Sequence, residues 1–222
     1  MSIMSLETTS KRVVLSLALL SALMYNIWPL AYWLDPKALH NDYLSVLEIT
    51  GRPHAWVFKS GDILTALMAL VISFFILKRG QKVRAICYSL ITFSVGTLFE
   101  ALVSLSNRCS ESIAACGLSP LQIVSVHDIA SIITALALLY GLIAARRALL
   151  TNKSDNLSLY KWTSATFYVW GISGLFLIIS VGLDKATLLS QAVYLLACGL
   201  ALIMLPMFAL NFRPPAREEK AA

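Results

Sequence analysis

Four ionisable residues lie close to the ends of long apolar runs in this sequence: Asp62, Glu100, His127 and Asp128. Carboxylate and imidazole groups are ligands for zinc and other divalent metals, and a bound metal activates water for attack on an ester or amide. The same groups also bind cationic ligands or pair with one another inside a membrane. No close-spaced metal motif such as HExxH is present, so the residue types leave several chemistries open.

The elements that must position these residues are six apolar blocks. The 222 residues are 58% hydrophobic and only 14% charged, and each block provides the roughly 20 residues that cross a bilayer. We therefore predict an all-α polytopic membrane protein, an antiparallel bundle of six transmembrane helices forming a single domain over 1–222. The predicted spans are 13–34, 56–77, 85–106, 121–145, 162–183 and 188–212.

Two segments outside the spans have distinct patterns. Residues 35–55 alternate apolar and polar positions at helical spacing, which predicts a short amphipathic helix lying in the outer interface. The tail 213–222 is proline-broken and charged, which predicts a flexible cytoplasmic end. Asp184, just before the sixth span, has the residue type of a helix N-cap.

The basic residues predict the orientation. Lys and Arg accumulate on the cytoplasmic side of short loops. With both termini cytoplasmic, 13 of the 18 basic residues lie inside and only Lys37, Arg52, Lys59, Arg108 and Lys185 lie outside. The net charge of +6 then reflects topology and contact with lipid headgroups, so we expect membrane lipids as partners and no nucleic acid.

Depth along the predicted spans brings the ionisable residues into one layer. Asp62, Glu100 and His127 each lie about six residues from the outer end of the second, third and fourth spans, which is ~9 Å at 1.5 Å per residue. Asp128 follows one residue deeper and diverges from His127 by about 100°. The other polar residues expected near this layer are Tyr25, Asn26, Gln191 and Tyr194.

Three interpretations of this layer remain open. Glu100 and His127 are suited to bond across helices as structural glue, while Lys59 is placed to pair with Asp62. Alternatively, the layer lines a ligand-binding or transport cavity that opens outward. In the third interpretation, His127, Asp62 and Glu100 form a catalytic or metal site acting on a lipid ester or amide.

Small residues and cysteines add two further predictions. Gly96 in the third span, and Gly171 and Gly174 in the fifth, predict close helix packing. Cys109 and Cys116 bracket an outer loop, where oxidising conditions allow a disulfide.

The segment "NDYLSVLEITGRPHAWVFKSGD", followed much later by "SVHDIAS", resembles a bacterial six-span family catalogued as domain of unknown function 998. The recurring elements are a D-Y-x-S-x-L segment, a Gly-x-Pro turn and a histidine that matches His127. The resemblance implies the six-span fold, and it singles out Asp42, Ser45 and His127 as residues that meet at the outer face. The layout is more remotely similar to DRAM-like six-span proteins.

These observations together predict a protein of the cell membrane, in bacteria the cytoplasmic membrane, that binds or handles a lipid or small amphiphile in an outer polar pocket. The expected binding residues are Asp42, Ser45, Asp62, Glu100, His127 and Asp128. We expect no cofactor, with a divalent metal as the alternative held by Asp62, Glu100 and His127. The two rival functions are a lipid-modifying hydrolase or transferase and a non-catalytic scaffold or partner subunit in a homo- or hetero-oligomer.

Overall fold

A computed structural model describes residues 3–40, 44–48, 52, 54–77, 83–103, 126–151, 156–183 and 187–212. All regular structure in these residues is helical, which confirms the predicted all-α class. The α-helices are α1 (Ile3–Tyr25), α2 (Ala31–Leu34), α3 (Ala55–Leu77), α4 (Arg84–Leu102), α5 (Val126–Leu150), α6 (Leu157–Gly182) and α7 (Leu188–Asn211).

Five of the described helices are individually long and apolar enough to cross a membrane, and a bent pair provides a sixth. The bent pair joins Ser10–Tyr25 to Trp28–Leu34 at an angle of 41°. Pro29 explains the break, because proline has no N–H for the bond to the carbonyl of Tyr25 and disfavours helical geometry in the residue before it. The chain therefore has five or six spans, in agreement with the predicted polytopic fold.

The helices form a ring with one helix outside it. Around the ring, α1 packs on α3, α3 on α4, α4 on α5, α5 on α7, and α7 returns to α1. Helix α6 makes its main contacts with α5 and α7, and 22% of its most apolar window is buried, against 61% for α7. Helix α7 is thus the central wall of the bundle, and α6 is a peripheral one.

Close approach between α1 and α3 depends on small residues. The Ser21 and Thr65 hydroxyls each donate to the other residue's backbone carbonyl, at 3.3 and 3.1 Å. At Gly61, a Cβ atom would lie 2.9 Å from the carbonyl oxygen of Met24, so only glycine fits without a backbone shift.

The predicted packing glycines gave a mixed outcome. Gly96 packs tightly against Thr134 of α5, as predicted. The prediction for Gly171 was wrong: no atom lies within 4 Å of the Cβ position there, because this side of the peripheral α6 faces away from the bundle. Gly174 makes only an ordinary van der Waals contact, 3.5 Å from Tyr194.

In its described part, the segment before α3 differs from the predicted short amphipathic helix. Its described part forms two short 3-10 helices, Pro36–His40 and Leu44–Glu48. Two polar contacts tie it down: Arg52 Nε donates to Asp35 Oδ2 at 3.1 Å, and the Leu44 N–H donates to Gln191 Oε1 at 2.7 Å. We call Leu44–Glu48 the cap segment.

The N-terminus of α7 also differs from the prediction based on Asp184. Thr187 is the N-cap, and its side chain and that of Ser190 form a reciprocal capping box with the backbone. A threonine with a hydroxyl residue three positions later satisfies two free N–H groups, which explains the choice.

Candidate functional site

A cavity of about 200 Å³ lies inside the ring, under the cap segment. It lies toward the end of the bundle where α3 and α5 begin and α4 ends. Its walls come mainly from α3, α5, α7 and the cap segment, with one residue each from α1, α4 and α6. The polar residues lining it are Tyr25, Ser45, Glu48, Asp62, Glu100, His127, Ser131, Thr134, Gln191, Tyr194 and Cys198.

The structure brings together the three residues that define the predicted layer. Asp62 from α3, Glu100 from α4 and His127 from α5 all line this cavity. Ser45 of the cap segment lines it as well. The geometry is what antiparallel spans of similar depth require, while the role of these residues in binding remains a prediction.

The most informative residue of the cavity is one that sequence reasoning missed. Glu48, the last residue of the cap segment, shares a hydrogen bond with the carboxyl group of Asp62. A hydrogen bond between two carboxyl groups requires a proton on one of them, because ionised carboxylates only accept. The cap segment is therefore held to α3 by an acid pair that retains a proton.

The surroundings of Glu48 favour its protonated form. Burial raises the pKa of Glu48 above its ordinary value, while the hydrogen bond with Asp62 and the electrostatic interactions with His127 and Lys59 act in the opposite direction. The net shift of this pKa is upward, so the penalty of burial outweighs these interactions.

A sequence signal for Glu48 does exist. Leu44, Leu47 and Glu48 have the i, i+3, i+4 spacing of one helical face, and Leu47 is fully buried against Ala31 and Phe58. A glutamate that continues an apolar face is directed inward with it.

Glu100 is buried and hydrogen-bonded. Its carboxyl group shares a hydrogen bond with the hydroxyl of Ser131, one helix away on α5. The Ser131 Oγ lies 3.2 Å from the backbone oxygen of His127, which places the hydroxyl between the two ionisable residues.

His127 is the unsatisfied group of the site. Its side chain lines the cavity and is only 8% exposed, yet its Nδ1 atom has no hydrogen-bond partner among the described residues. Buried polar atoms are rarely left without a partner, since the loss costs about 1–3 kcal/mol. A buried, unpartnered imidazole in the wall of a cavity indicates that a ligand or water supplies the partner.

Polarity changes with depth along the cavity wall. On α5 the lining residues run from His127 through Ser131 and Thr134 to Ala135 and Leu138, a distance of ~16 Å. Along α5, the wall is thus polar near the cap segment and apolar toward the middle of the bundle.

Aromatic rings form much of the remaining lining. Tyr25, Trp28, Phe58 and Tyr194 all border the cavity, and the Trp28 Nε1 donor is another buried atom without a partner in the described structure. Asn26, expected in this layer, does not line the cavity. Its Nδ2 donates to Ala22 O at 2.9 Å.

No group of three His, Cys, Asp or Glu side chains in the described ranges is placed to hold a metal ion. Asp62, Glu100 and His127 share the cavity but do not meet this condition, so we derive no metal chemistry from them. The described cysteines, Cys87 and Cys198, are free and buried.

Several predicted residues lie outside this description. Asp42, Cys109 and Cys116 fall in the ranges that the structure does not describe, as does the side chain of Asp128. The Cys109–Cys116 bridge and the roles of Asp42 and Asp128 therefore stay predictions.

Neither a curated protein nor a solved structure matches this chain. A family pattern does match it, over residues 13–212, and this confirms the resemblance found in the sequence. The matched range includes the five individual candidate spans, all but the first three residues of the bent pair, and every residue lining the cavity. The chain belongs to the family described as protein of unknown function DUF998.

Proposed function

We propose that this membrane protein binds the headgroup of a lipid or small amphiphile in the cavity under the cap segment. The observation that carries the proposal is the gradient along α5, where the cavity lining changes from His127 and Ser131 near the cap segment to Ala135 and Leu138 farther into the bundle. An amphiphile has the same order of groups, with a polar head that needs hydrogen-bond partners and an apolar chain that does not.

The size of the cavity limits what enters it. About 200 Å³ is the volume of some six or seven waters at ~30 Å³ each, and ligand pockets that bury a whole drug-sized molecule run to about 300–1,000 Å³. A headgroup with the first carbons of a chain fits, whereas a two-chain lipid does not. The chains of a bound lipid then lie outside the ring, in the hydrocarbon around it.

Orientation gives the source of the ligand. If both termini are cytoplasmic, as the basic residues predict, the cavity opens at the outer leaflet. We therefore propose an outer-leaflet molecule as the ligand.

We propose that the protein binds this ligand without catalysing a reaction on it. A lipid hydrolase or transferase would need an activated nucleophile or a metal-bound water. Among the described residues, the Nδ1 atom of His127 has no hydroxyl or thiol partner that it could activate. A scaffold role gives no reason for an unpartnered buried imidazole facing a cavity.

The test uses two neighbouring positions on α5. Ala135 lines the apolar end of the cavity, whereas Leu136 is 55% exposed on the outer surface of the bundle. Native mass spectrometry of purified protein should detect bound lipid in the unmodified chain and in Leu136→Trp, and the signal should be lost in Ala135→Trp because the new side chain fills the cavity. Lipid absent from the unmodified protein, or retained by Ala135→Trp, would overturn the proposal.

A further inference from the structure

Resting on the proposed function, we infer that the headgroup bound in this cavity carries a protonated amine, held between Glu48, Asp62 and Glu100. Three carboxyl groups from separate elements face one small space, and the two that bond to each other must keep a proton there. A cation entering that space can replace the proton.

The unpartnered Nδ1 of His127 is independent support. This side chain is more than nine-tenths buried and lines the same cavity, and its free nitrogen has no acceptor or donor opposite it in the described structure. An amine has up to three N–H groups to donate, and a neutral imidazole nitrogen accepts one of them. A quaternary ammonium group or an alcohol would satisfy fewer of these acceptors.

The aromatic lining favours the same ligand class. Cations bind over the faces of Trp, Tyr and Phe rings through the negative electrostatic potential of the π system, and amine recognition by several rings is a known use of this effect. Tyr25, Trp28, Phe58 and Tyr194 line the cavity together with the acids. Aromatic rings combined with carboxylates suit an ammonium group and disfavour an anionic headgroup such as a carboxylate.

The exchange can be written with its charges balanced. In the empty site, one proton lies between Glu48 and Asp62. When the ammonium group binds, that proton leaves to solvent, and the ligand's positive charge replaces it between two ionised carboxylates. No covalent bond forms or breaks.

The groups that interact electrostatically with the acid pair come from the surrounding helices. Asp62 and Lys59 of α3 and His127 of α5 interact with the carboxyl group of Glu48. Glu100 of α4 interacts with the carboxyl group of Asp62. Two tyrosines also lie within range of these acids, Tyr25 of α1 and Tyr194 of α7.

The pH dependence of binding follows from the acids, because a simple alkylamine stays protonated below about pH 10, as lysine does. Affinity should therefore rise with pH as the acid pair gives up its proton.

The experiment compares three single-chain probes of the same length by calorimetry on purified protein in a neutral maltoside detergent. Decylamine should bind at least tenfold more tightly than decanol or decanoate and should release protons to the buffer. Glu48→Gln and Asp62→Asn should each weaken decylamine binding at least tenfold. Glu7→Gln, a change 18 residues before Tyr25 in α1 and thus ~27 Å away along the helix axis, should leave it unchanged.

The possible outcomes separate the two proposals. If all three probes bind equally and Ala135→Trp abolishes each, the amphiphile site stands and the amine inference is overturned. If Ala135→Trp changes the binding of none of the probes, both the amphiphile site and the amine inference are overturned. Ethylamine, which lacks the chain, identifies the source: weak binding supports a lipid amine, whereas binding as tight as that of decylamine would overturn the lipid and leave a soluble amine. Melting curves with decylamine identify any variant that fails to fold.

Discussion

At the scale of single residues, the cavity is defined by which polar atoms have partners. Glu48 and Asp62 satisfy each other, Glu100 bonds to Ser131, and His127 Nδ1 has no described partner. With the Trp28 Nε1 atom, the described lining has two polar atoms without a partner, and the free energy of satisfying them is available to a ligand.

The first residue-scale prediction concerns His127. Replacing it with leucine removes the unpartnered nitrogen, so amphiphile affinity should fall about 5- to 30-fold while the melting temperature holds or rises, because a buried unsatisfied atom is lost. Calorimetric titration and a melting curve on the same sample measure both effects. Thr97→Val is the control, since the Thr97 hydroxyl is also buried without a described partner but does not line the cavity. Equal loss of affinity in both variants would contradict a role for His127 in the site.

The second residue-scale prediction is a pH dependence of the cap segment. Because burial raises the pKa of Glu48, its stabilising contribution is present at acid pH and is lost as the pH rises through that raised value. Ionisation of both carboxyls then makes Glu48 and Asp62 repel each other, and the cap segment should open more often.

Labelling at Ser45 measures this opening. A thiol introduced by Ser45→Cys should react faster at pH 8 than at pH 5, by more than the intrinsic change of thiol reactivity. The same cysteine placed in the Glu48→Gln background supplies that intrinsic change, because glutamine does not ionise. Identical pH profiles in the two backgrounds would show that the acid pair does not control the cap segment.

At the scale of elements, a glycine allows close helix packing where its side of the helix faces a neighbouring helix. The presence of a glycine in an apolar helix does not by itself indicate such a contact. Gly61 and Gly171 illustrate this, since both lie in apolar helices and only Gly61 faces a neighbouring backbone. Sequence spacing cannot distinguish them, because which side of a helix faces inward depends on how all the other helices pack.

These two glycines provide a matched stability test. Gly61→Ala places a methyl group against the Met24 carbonyl and should destabilise the fold by about 1–3 kcal/mol through overpacking. Gly171→Ala meets no atom and should be neutral or stabilising by up to ~1 kcal/mol from helix propensity. Thermal unfolding in detergent checks both. A destabilising Gly171→Ala would mean that α6 packs against another molecule in the membrane.

The helix ends show where element prediction reached its limit. Helix α5 continues past the predicted apolar span to Leu150, because Arg146 lies partly buried and its Nη2 donates to Tyr168 Oη of α6 at 3.1 Å. A long basic side chain can keep its charged end near the interface while its stem packs on a neighbour. Hydropathy ends a span at the first arginine, whereas the backbone hydrogen bonds continue.

At the scale of the whole molecule, the fold was the most predictable level. Apolar blocks of bilayer length specify helices, and consecutive short connections specify antiparallel neighbours, so Asp62, Glu100 and His127 were placed in one layer by counting residues. Glu48 was not found this way, because its position depends on how a segment outside the spans folds back over the bundle. The contact between the Leu44 N–H and Gln191, 147 positions apart, has no local sequence signal.

The predicted topology is the whole-molecule test. Both ends of the chain should lie in the cytoplasm, since 13 of 18 basic residues are then inside. Phosphatase fused after Ala222 should be inactive and a fluorescent protein at the same position should fold and emit, with the opposite pair of results for fusions within 104–125. An active phosphatase at the C-terminus would indicate five spans, with the bent pair α1–α2 entering and leaving on one side.

The central position of α7 has a consequence for biogenesis. During synthesis, α1 to α6 enter the membrane before α7 exists, and the ring has a gap where Gln191, Tyr194, Leu195 and Cys198 will later line the cavity. Until then the acids face either lipid or the translocation machinery. A nascent chain stalled before residue 188 should therefore be a strong substrate for membrane quality control, and release of α7 should be the step that makes the protein resistant to degradation.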